Sequence, residues 1–554
     1  MKKIILTALL LILITLPTLL PYFNSKFFYT QDYIFIARLN QMSTALSQGQ
    51  FPVRWAPDLR YGEPVFNYYA PLPYYLGFFI HLMGFNFLWV SKILFMLSAV
   101  LSSIAMYIFS SKLFSKKAGI LSAVLYTYAP YKAVDMYVRG SLSETWAFVF
   151  FPLIFYSSYL LSKKRNSLNI SFLGLSLAGL FLTHNVTTLM FLPFLGLWWI
   201  YLLISEKNWK IFIPLILGSV LGFGLAASFL LPASFERDFI QTKYLTVGYF
   251  DFRAHFVAFS QFFSTFWGYG SSLWGPVDGL SFQVGLVNWA TLGLTGIALF
   301  LSRKDKKQLI LISFLAVSFT LSIFLQHNKS AFIWEAFPIM AFIQFPWRFL
   351  AVSIFIVSIA GGVVAPYLRN RLSIVYFIII LAAVVSTYSY FKPEKYVDDS
   401  FFDKFLNVEK MRQGIDLTKD YLPIWVKTVD APPLNYPESQ DGKTAVSKFE
   451  KKGVKAFSQI NVLTDSTVEV PITYFPNWEI KANNEKIKLE QPLERGLVRF
   501  KLAKGNYNVS FELKDTPVRM IGNTISLFSL LGLTLLLTFK KYKQSLRTKV
   551  LKHV

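Results

Sequence analysis

The sequence predicts a polytopic α-helical membrane protein of about 12 transmembrane helices, with an extracytoplasmic β-sandwich-like domain before the last helix. Hydrophobic residues make up 54% of its 554 positions and charged residues only 16%, whereas soluble domains average about 25% charged residues. Apolar runs of about 20 residues, the length that a helix needs to cross a bilayer, recur along the chain. A C-terminal stretch instead alternates apolar and polar residues, which is typical of strands.

The first predicted span is expected to be an uncleaved helix with its N-terminus in the cytoplasm. The apolar stretch after Lys2 and Lys3 is longer than the core of a signal peptide, which is about 7–15 residues, and no small-residue cleavage site follows it. The twelve predicted spans cover residues 4–22, 87–110, 118–134, 145–161, 170–183, 187–204, 211–231, 286–302, 309–325, 347–367, 373–390 and 521–539.

One further apolar stretch, residues 71–84, is expected to lie as a helix in the outer interface. It is short and carries two prolines and His81. If it crossed the membrane, the basic turn 112–117 would fall outside, against the positive-inside tendency. Without it, both termini lie in the cytoplasm and every short cytoplasmic segment is basic: 112–117, 163–165, 207–210, 303–307, 369–371 and the tail from Lys540.

The formal net charge of +24 follows from this topology. Lys and Arg occupy short, separate cytoplasmic turns, where they meet anionic membrane lipids. Nucleic acid is not an expected partner, because its binding needs basic residues along one groove. The chain has no cysteine, which excludes disulfides, thiolate metal sites and a catalytic thiol.

Three domains are predicted: a transmembrane domain over 1–390, an extracytoplasmic domain over 391–520, and a last helix with a basic cytoplasmic tail over 521–554. The extracytoplasmic domain is β-rich from about residue 457, where apolar and polar residues alternate. Turn signals stand at Asn483-Asn484 and at Lys504-Gly505-Asn506. We predict a small antiparallel sandwich with strands at 467–472, 478–480, 497–500 and 507–511.

The polar residues that could do chemistry fall on the predicted outer side, most of them in the first loop, 23–86. A carboxylate beside guanidiniums at a membrane surface suits a reaction in which a hydroxyl is deprotonated while a phosphate leaves. No metal-binding motif stands out. No phosphate-binding Gly-rich loop is present either, and its absence argues against a nucleotide-sugar donor. The candidate residues are Asp32, Arg54, Arg60, Glu63, Tyr68, Tyr69, Arg139, Glu144, His184 and Arg348.

Several motifs carry a family resemblance. The helix, long outer loop, short interfacial helix and basic turn (SKLFSKK, 111–117) resemble the GT-C glycosyltransferases. Further strings are GQFPVRW (49–55), YGEPVFNYYAPL (61–72), RGSLSE (139–144), THN (183–185), QFPWR (344–348), and the region from YFPNW (474–478) to TPVR (516–519). In these strings the chain resembles, more specifically, membrane proteins labelled "6-pyruvoyl-tetrahydropterin synthase-related" and their YfhO-like relatives.

The resemblance implies a membrane glycosyltransferase that takes a sugar from a polyprenyl-phosphate donor and works on the outer face. The acceptor would be a cell-surface glycan, lipid or protein. In GT-C enzymes the base is an acidic residue of the first outer loop, and Asp32 is the matching position. Asp32 is followed by Tyr33 instead of a second acid, so no cofactor is assigned and a divalent metal stays open.

Other interpretations of the same residues remain open at this stage. Asp32 is equally suited to capping the helix expected over 33–48, and the arginines to binding lipid headgroups. Arg139 and Glu144 are suited to a structural ion pair, and His184 to a satisfied position at a helix end. One alternative to an enzyme is a transporter or flippase of lipid-linked glycans, which would need charged or broken helices near the midplane. A non-catalytic role in cell-envelope assembly is the other alternative.

Overall fold

The computed structural model describes residues 2–301, 304–368, 372–413, 421–429 and 434–550. The predicted basic residues Arg303, Arg369 and Arg371 lie outside these ranges. In the described part, nine helices are long and apolar enough to cross a membrane: Ile5–Phe23, Phe87–Leu113, Leu142–Lys163, Asn185–Glu206, Trp209–Phe235, Lys306–Phe324, Pro346–Tyr367, Ser373–Tyr390 and Pro517–Thr538.

The other three predicted spans overlap shorter helices, at Lys116–Thr127, Ser167–Phe181 and Leu286–Leu301. The helix in the span predicted over 118–134 ends at Thr127, and a short helix, Pro130–Ala133, and a π-helix from Val134 follow it. The polytopic helical architecture predicted from the apolar runs is therefore confirmed. In chain order the α-helices are α1 (Lys2–Thr15), α2 (Ile34–Ser47), α3 (Val65–Tyr68), α4 (Leu72–His81), α5 (Phe87–Leu113), α6 (Lys116–Thr127), α7 (Pro130–Ala133), α8 (Leu142–Lys163), α9 (Ser167–Phe181), α10 (Asn185–Glu206), α11 (Phe212–Phe235), α12 (Leu286–Leu301), α13 (Lys306–Phe324), α14 (Ala331–Ala336), α15 (Leu350–Val364), α16 (Ser373–Thr387), α17 (Asp403–Leu406), α18 (Val408–Gln413) and α19 (Pro517–Val550).

Helix α15 lies at the centre of the bundle. Every one of its fifteen residues is buried, which explains why its sequence is apolar on all sides instead of along one stripe. Aromatic side chains fill the space around it. The Phe151 and Phe191 rings stack with centroids 4.2 Å apart, and both contact the ring of Phe355.

Helix α4 is the stretch expected in the interface. Its ten residues span about 15 Å, half the thickness of the hydrocarbon core, so α4 is too short to cross. It packs against α2 and α5. A Cβ on Gly77 would lie 2.2 Å from a methyl of Leu39, so glycine is what allows α2 and α4 to approach this closely.

A β domain precedes α19, as predicted. One antiparallel sheet has the strand order β3-β6-β10-β9 and the other β4-β5-β11-β7-β8. Apolar side chains of both sheets share one core, in which the Phe500 and Phe511 rings lie 5.8 Å apart. The strands are β1 (Phe27–Phe28), β2 (Tyr396–Val397), β3 (Glu438–Ser439), β4 (Thr444–Lys452), β5 (Lys455–Val462), β6 (Ser466–Thr473), β7 (Trp478–Ala482), β8 (Glu485–Ile487), β9 (Leu489–Glu490), β10 (Leu497–Leu502) and β11 (Gly505–Leu513).

The strands begin nearer the N-terminus than residue 457. Strand β4 was not expected because it is an edge strand with no fully buried residue, so its sequence lacks a clear apolar alternation. The turn predicted at Asn483-Asn484 is present. Asn483 and Asn484 have φ angles of 48° and 71° and join β7 to β8, as the primed turn of a tight hairpin requires.

Candidate active site

The first loop runs alongside a π-helix between α7 and α8. The backbone N–H groups of Gln31 and Asp32 donate to the carbonyls of Val138 and Arg139 at 2.9 and 3.0 Å. The π-helix spans Val134–Arg139, and such segments are rare and often functional. These two hydrogen bonds place Asp32 beside Arg139, although the two residues are far apart in the sequence.

Gly140 makes this approach possible. Its φ is +68°, and a Cβ there would lie 2.6 Å from Thr30 Oγ1 and 2.8 Å from the carbonyl oxygen of Asp32. A larger residue would therefore push the first loop away from the π-helix. The sequence motif RGSLSE owes its glycine to this contact.

Asp32 is a partly exposed residue whose carboxylate is nevertheless surrounded by protein. Its Oδ1 accepts a hydrogen bond from the N–H of Ile34 at 3.0 Å, at the start of α2. The capping interpretation therefore holds for one oxygen. Burial raises the pKa of Asp32, and the guanidiniums of Arg38, Arg139 and Arg348 oppose that rise.

Charged and aromatic residues from five parts of the chain meet around Asp32. We call this set the Asp32 cluster, and its members are Asp32, Arg38, Tyr69, Asp135, Arg139, Glu144, His184 and Arg348. Of the nine predicted residues other than Asp32, five lie in the cluster: Tyr69, Arg139, Glu144, His184 and Arg348. Asp32 itself is the sixth predicted residue found there.

Arg139 is the most fully paired cation of the cluster. Its guanidinium donates to Glu144 Oε2 at 2.8 Å and to a carboxylate oxygen of Asp135. It also donates to the Tyr131 hydroxyl at 3.1 Å and lies 4.7 Å from the centre of the Trp347 ring. The predicted Arg139–Glu144 ion pair is thus present, and it belongs to a larger network.

Arg348 approaches the same carboxylate from a different helix. Its Nε lies 3.9 Å from Glu144 Oε2, and its Nη1 donates to the carbonyl of Ile343 at 2.9 Å. The neighbouring Gln344 adopts a φ of +67°, a conformation that costs a non-glycine residue about 1–3 kcal/mol and is concentrated at functional sites.

Arg38 differs from the other two arginines. It acts electrostatically on Asp32 without forming an ion pair within 4.0 Å, and its Nε is buried without a hydrogen bond. Its guanidinium instead lies 3.9 Å from the centre of the Tyr69 ring. The cluster therefore holds one arginine whose charge no carboxylate in the described residues neutralises by direct contact.

His184 is buried among these charges. Its Nδ1 lies 2.6 Å from Thr187 Oγ1. Burial lowers the pKa of His184 to about 3, although Glu144 opposes the shift. The imidazole is therefore neutral at physiological pH and orients its neighbours without adding a positive charge.

The remaining predicted residues contact other partners. Arg54 donates to the carbonyl of Ser228 at 2.7 Å and to Asn523 Oδ1 at 2.6 Å. The Tyr68 hydroxyl donates to the carbonyl of Glu236 at 2.7 Å. These two residues join the first loop to α11 and α19. The local sequence does not distinguish such a structural contact from a binding residue.

Arg60 and Glu63 form a pair beside the β domain, with Arg60 Nε 3.7 Å from Glu63 Oε1. The neighbouring Tyr61 accepts a hydrogen bond from the N–H of Thr473 through its carbonyl at 3.2 Å. This part of the first loop therefore faces the β domain. The polar residues of the first loop therefore lie in different environments: Arg60 and Glu63 lie beside the β domain, whereas Tyr69 lies in the Asp32 cluster.

Sequence reasoning left Arg38 and Asp135 out of the candidate set. Arg38 carries a signal that would have found it, because it is the one charged residue in the sequence of α2. Asp135 stands four residues before Arg139, just ahead of the RGSLSE motif. Among the residues described, no three His, Asp or Glu side chains lie close enough together to hold a metal ion.

Comparisons with known proteins give distant likenesses. No family model matches the chain. An uncharacterized protein of Lactococcus lactis subsp. cremoris is 28% identical over 236 residues, which cover 40% of this chain and 38% of that protein. The resemblance to the 6-pyruvoyl-tetrahydropterin synthase-related and YfhO-like proteins therefore stays a prediction.

Three solved structures are similar at low identity. The mycobacterial arabinofuranosyltransferase AftD has 13% identity and a TM-score of 0.46, over 73% of this chain and 28% of AftD. ArnT from Cupriavidus metallidurans, bound to undecaprenyl phosphate, has 12% identity and a TM-score of 0.43, over 69% of this chain and 64% of ArnT. The Archaeoglobus fulgidus oligosaccharyltransferase has 13% identity and a TM-score of 0.43, over 79% of this chain and 62% of that enzyme. The chain thus spans less than two thirds of the length of each relative.

Proposed function

We propose that this protein transfers a sugar from a polyprenyl-phosphate donor to a hydroxyl of a cell-surface glycan, lipid or protein, with Asp32 as the general base. The proposal places both termini in the cytoplasm and the Asp32 cluster on the outer face of the membrane. One observation carries it. Asp32 is a partly exposed residue whose carboxylate lies near the guanidiniums of Arg38, Arg139 and Arg348.

The carboxylate has the properties that a base requires. Oδ1 is held by the N–H of Ile34, which leaves Oδ2 for an incoming hydroxyl. Burial raises the pKa of Asp32, which increases the affinity of its carboxylate for a proton. Its backbone hydrogen bond to Arg139 fixes the position from which it would act.

The reaction balances without a further reactant. Asp32 takes the proton of the acceptor hydroxyl, whose oxygen forms a bond to the anomeric carbon of the donor sugar. The bond from that carbon to the phosphate oxygen breaks, and the polyprenyl phosphate leaves with the electron pair. Attack from the face opposite the phosphate inverts the anomeric configuration. The guanidiniums of Arg38 and Arg348 would stabilise the negative charge that develops on the leaving phosphate.

The test is an assay of purified protein in lipid nanodiscs with a panel of polyprenyl-phosphate sugars and with native membrane acceptors, followed by mass spectrometry. We expect sugar transfer by the wild type and its loss in Asp32→Asn. The matched control is Asp238→Asn, because Asp238 is 88% exposed and lies outside the cluster. Full transfer by Asp32→Asn would reject Asp32 as the base.

A further inference from the structure

Residues 421–426, which follow α18, form a firmly anchored segment. The N–H of Gln241 donates to the carbonyl of Leu422 at 3.0 Å, and the N–H of Ile424 donates to the carbonyl of Phe239 at 3.0 Å. The Gln241 side-chain amide also donates to the carbonyl of Val426 at 2.6 Å. The segment is thereby fixed to the chain that follows α11.

This anchoring brings the Tyr421 ring to the Asp32 cluster. The ring centres of Tyr421 and Tyr69 lie 6.0 Å apart in an edge-to-face arrangement. The guanidinium carbon of Arg38 lies 3.9 Å from the centre of the Tyr69 ring and 5.8 Å from that of Tyr421. Two aromatic rings, one from the first loop and one from beyond α18, therefore contact the same cation.

Aromatic contacts leave a guanidinium able to bind an anion. A ring attracts the cation through its π-face, with about 2 kcal/mol when the pair is desolvated, and does not neutralise its charge. The N–H groups at the edge of the planar guanidinium stay available for a phosphate. Arg139, by contrast, donates hydrogen bonds to the carboxylates of Asp135 and Glu144.

We propose that Tyr421 is a positioning residue that holds Arg38 against Tyr69 so that the guanidinium edge binds the phosphate of the lipid donor. The proposal rests on the proposed function and names a residue of the segment beyond α18 as part of the donor site. Arg38 Nε is buried without a hydrogen bond in the described structure, so protein partners do not take up all the donors of this guanidinium.

Binding of undecaprenyl phosphate to the full chain in nanodiscs, measured by native mass spectrometry, tests the positioning role. Tyr421→Ala should raise the Kd about tenfold, which corresponds to about 1.4 kcal/mol, and Tyr421→Phe should bind as the wild type does, because the ring carries the contact. Tyr421→Leu, which keeps bulk without a π-face, replaces the alanine variant if that one fails to fold. Tyr436→Ala is the matched control, since Tyr436 is 59% exposed.

A kinetic readout separates positioning from a general structural role. Tyr421→Ala should raise the KM for the lipid donor about tenfold while kcat stays near the wild-type value, since Asp32 keeps its own contacts. A wild type that does not bind undecaprenyl phosphate, an unchanged Kd in Tyr421→Ala, or equal losses in the alanine and phenylalanine variants would each overturn the proposal. Binding that depends on Tyr421 without any sugar transfer would reject the proposed function and leave this role intact.

Discussion

Two groups of charges join the first loop to the membrane helices, and they differ in how completely the carboxylate at the centre of each is hydrogen-bonded. The first is the Asp32 cluster. The second, which we call the Glu236 cluster, comprises Asn67, Glu236, Thr516 and Arg519. Arg519 donates to Glu236 Oε2 at 2.9 and 3.0 Å, and Asn67 donates to the same oxygen at 2.9 Å. The Thr516 hydroxyl donates to the other oxygen.

The carboxylate of the Glu236 cluster is fully hydrogen-bonded. The side chains of Glu236 and Arg519 are each only 2% exposed, and both carboxylate oxygens accept hydrogen bonds. The Asp32 carboxylate instead accepts one hydrogen bond, at Oδ1, within the described residues. Both clusters keep buried polar atoms without a hydrogen bond, Asn67 Oδ1 in the Glu236 cluster and atoms of Arg38, Asp135 and Arg348 in the Asp32 cluster. We call the Glu236 cluster closed and the Asp32 cluster open, after the state of their carboxylates.

The largest expected effect tests the open cluster. Asp32→Asn should lower kcat by about 10²–10⁴-fold, the usual contribution of a general base, because the amide cannot accept the acceptor's proton. The thermal midpoint should stay that of the wild type, since asparagine still accepts the hydrogen bond from Ile34. Parallel measurement of initial rates and of thermal unfolding in nanodiscs checks both. A large drop in the midpoint would make Asp32 a structural residue.

The closed cluster should respond in the opposite way. Glu236→Leu leaves the Arg519 guanidinium buried without its carboxylate and should cost about 3–5 kcal/mol of folding free energy. Transfer activity per folded molecule should stay near that of the wild type. The control is Glu206→Leu, because Glu206 pairs with the 42%-exposed Lys163 side chain and such surface pairs contribute about 0–1 kcal/mol. Denaturant titration of the three proteins distinguishes the outcomes.

The third prediction concerns the positive charge that Arg348 contributes to the open cluster. Arg348→Gln should lower kcat about tenfold, which equals about 1.4 kcal/mol of barrier, because one of the cations facing the leaving phosphate is lost. Arg253→Gln is the control, as the Arg253 side chain is 52% exposed in the loop after α11. Steady-state kinetics at saturating donor measure kcat of both variants. Equal kcat values would reject a role of Arg348 in the reaction.

The smallest effect is a dependence on pH. Burial raises the pKa of Asp32 above its ordinary value of about 3.9. A protonated carboxyl cannot serve as a base, so kcat/KM should be constant above this raised pKa and fall as the pH drops through it. Because the pKa of His184 is lowered to about 3, no inflection is expected near 6.5, the ordinary value for histidine. A pH–rate profile of the wild type and of His184→Asn measures both features.

Much of the fold was accessible from local patterns. Apolar runs predicted the membrane helices, alternation predicted strands such as β6 and β11, and the Asn483-Asn484 pair predicted a hairpin turn. Each of these depends on residues within one element, whose spacing reflects its own helical or strand period. Edge strand β4, which buries little, lacked that signal.

For the candidate site, too, the sequence determined the local features and the tertiary structure determined the contacts between distant residues. By itself, the sequence determined that polar residues gather in the first loop and at the ends of certain helices, and it singled out Asp32 through a resemblance. Only the tertiary structure decided that Arg38 belongs to the Asp32 cluster and that Tyr421 contacts it there. The tertiary structure likewise decided that Arg54 and Tyr68 join the first loop to α11 and α19. Contacts between residues distant in the chain depend on how whole elements pack together, which local periodicity does not encode.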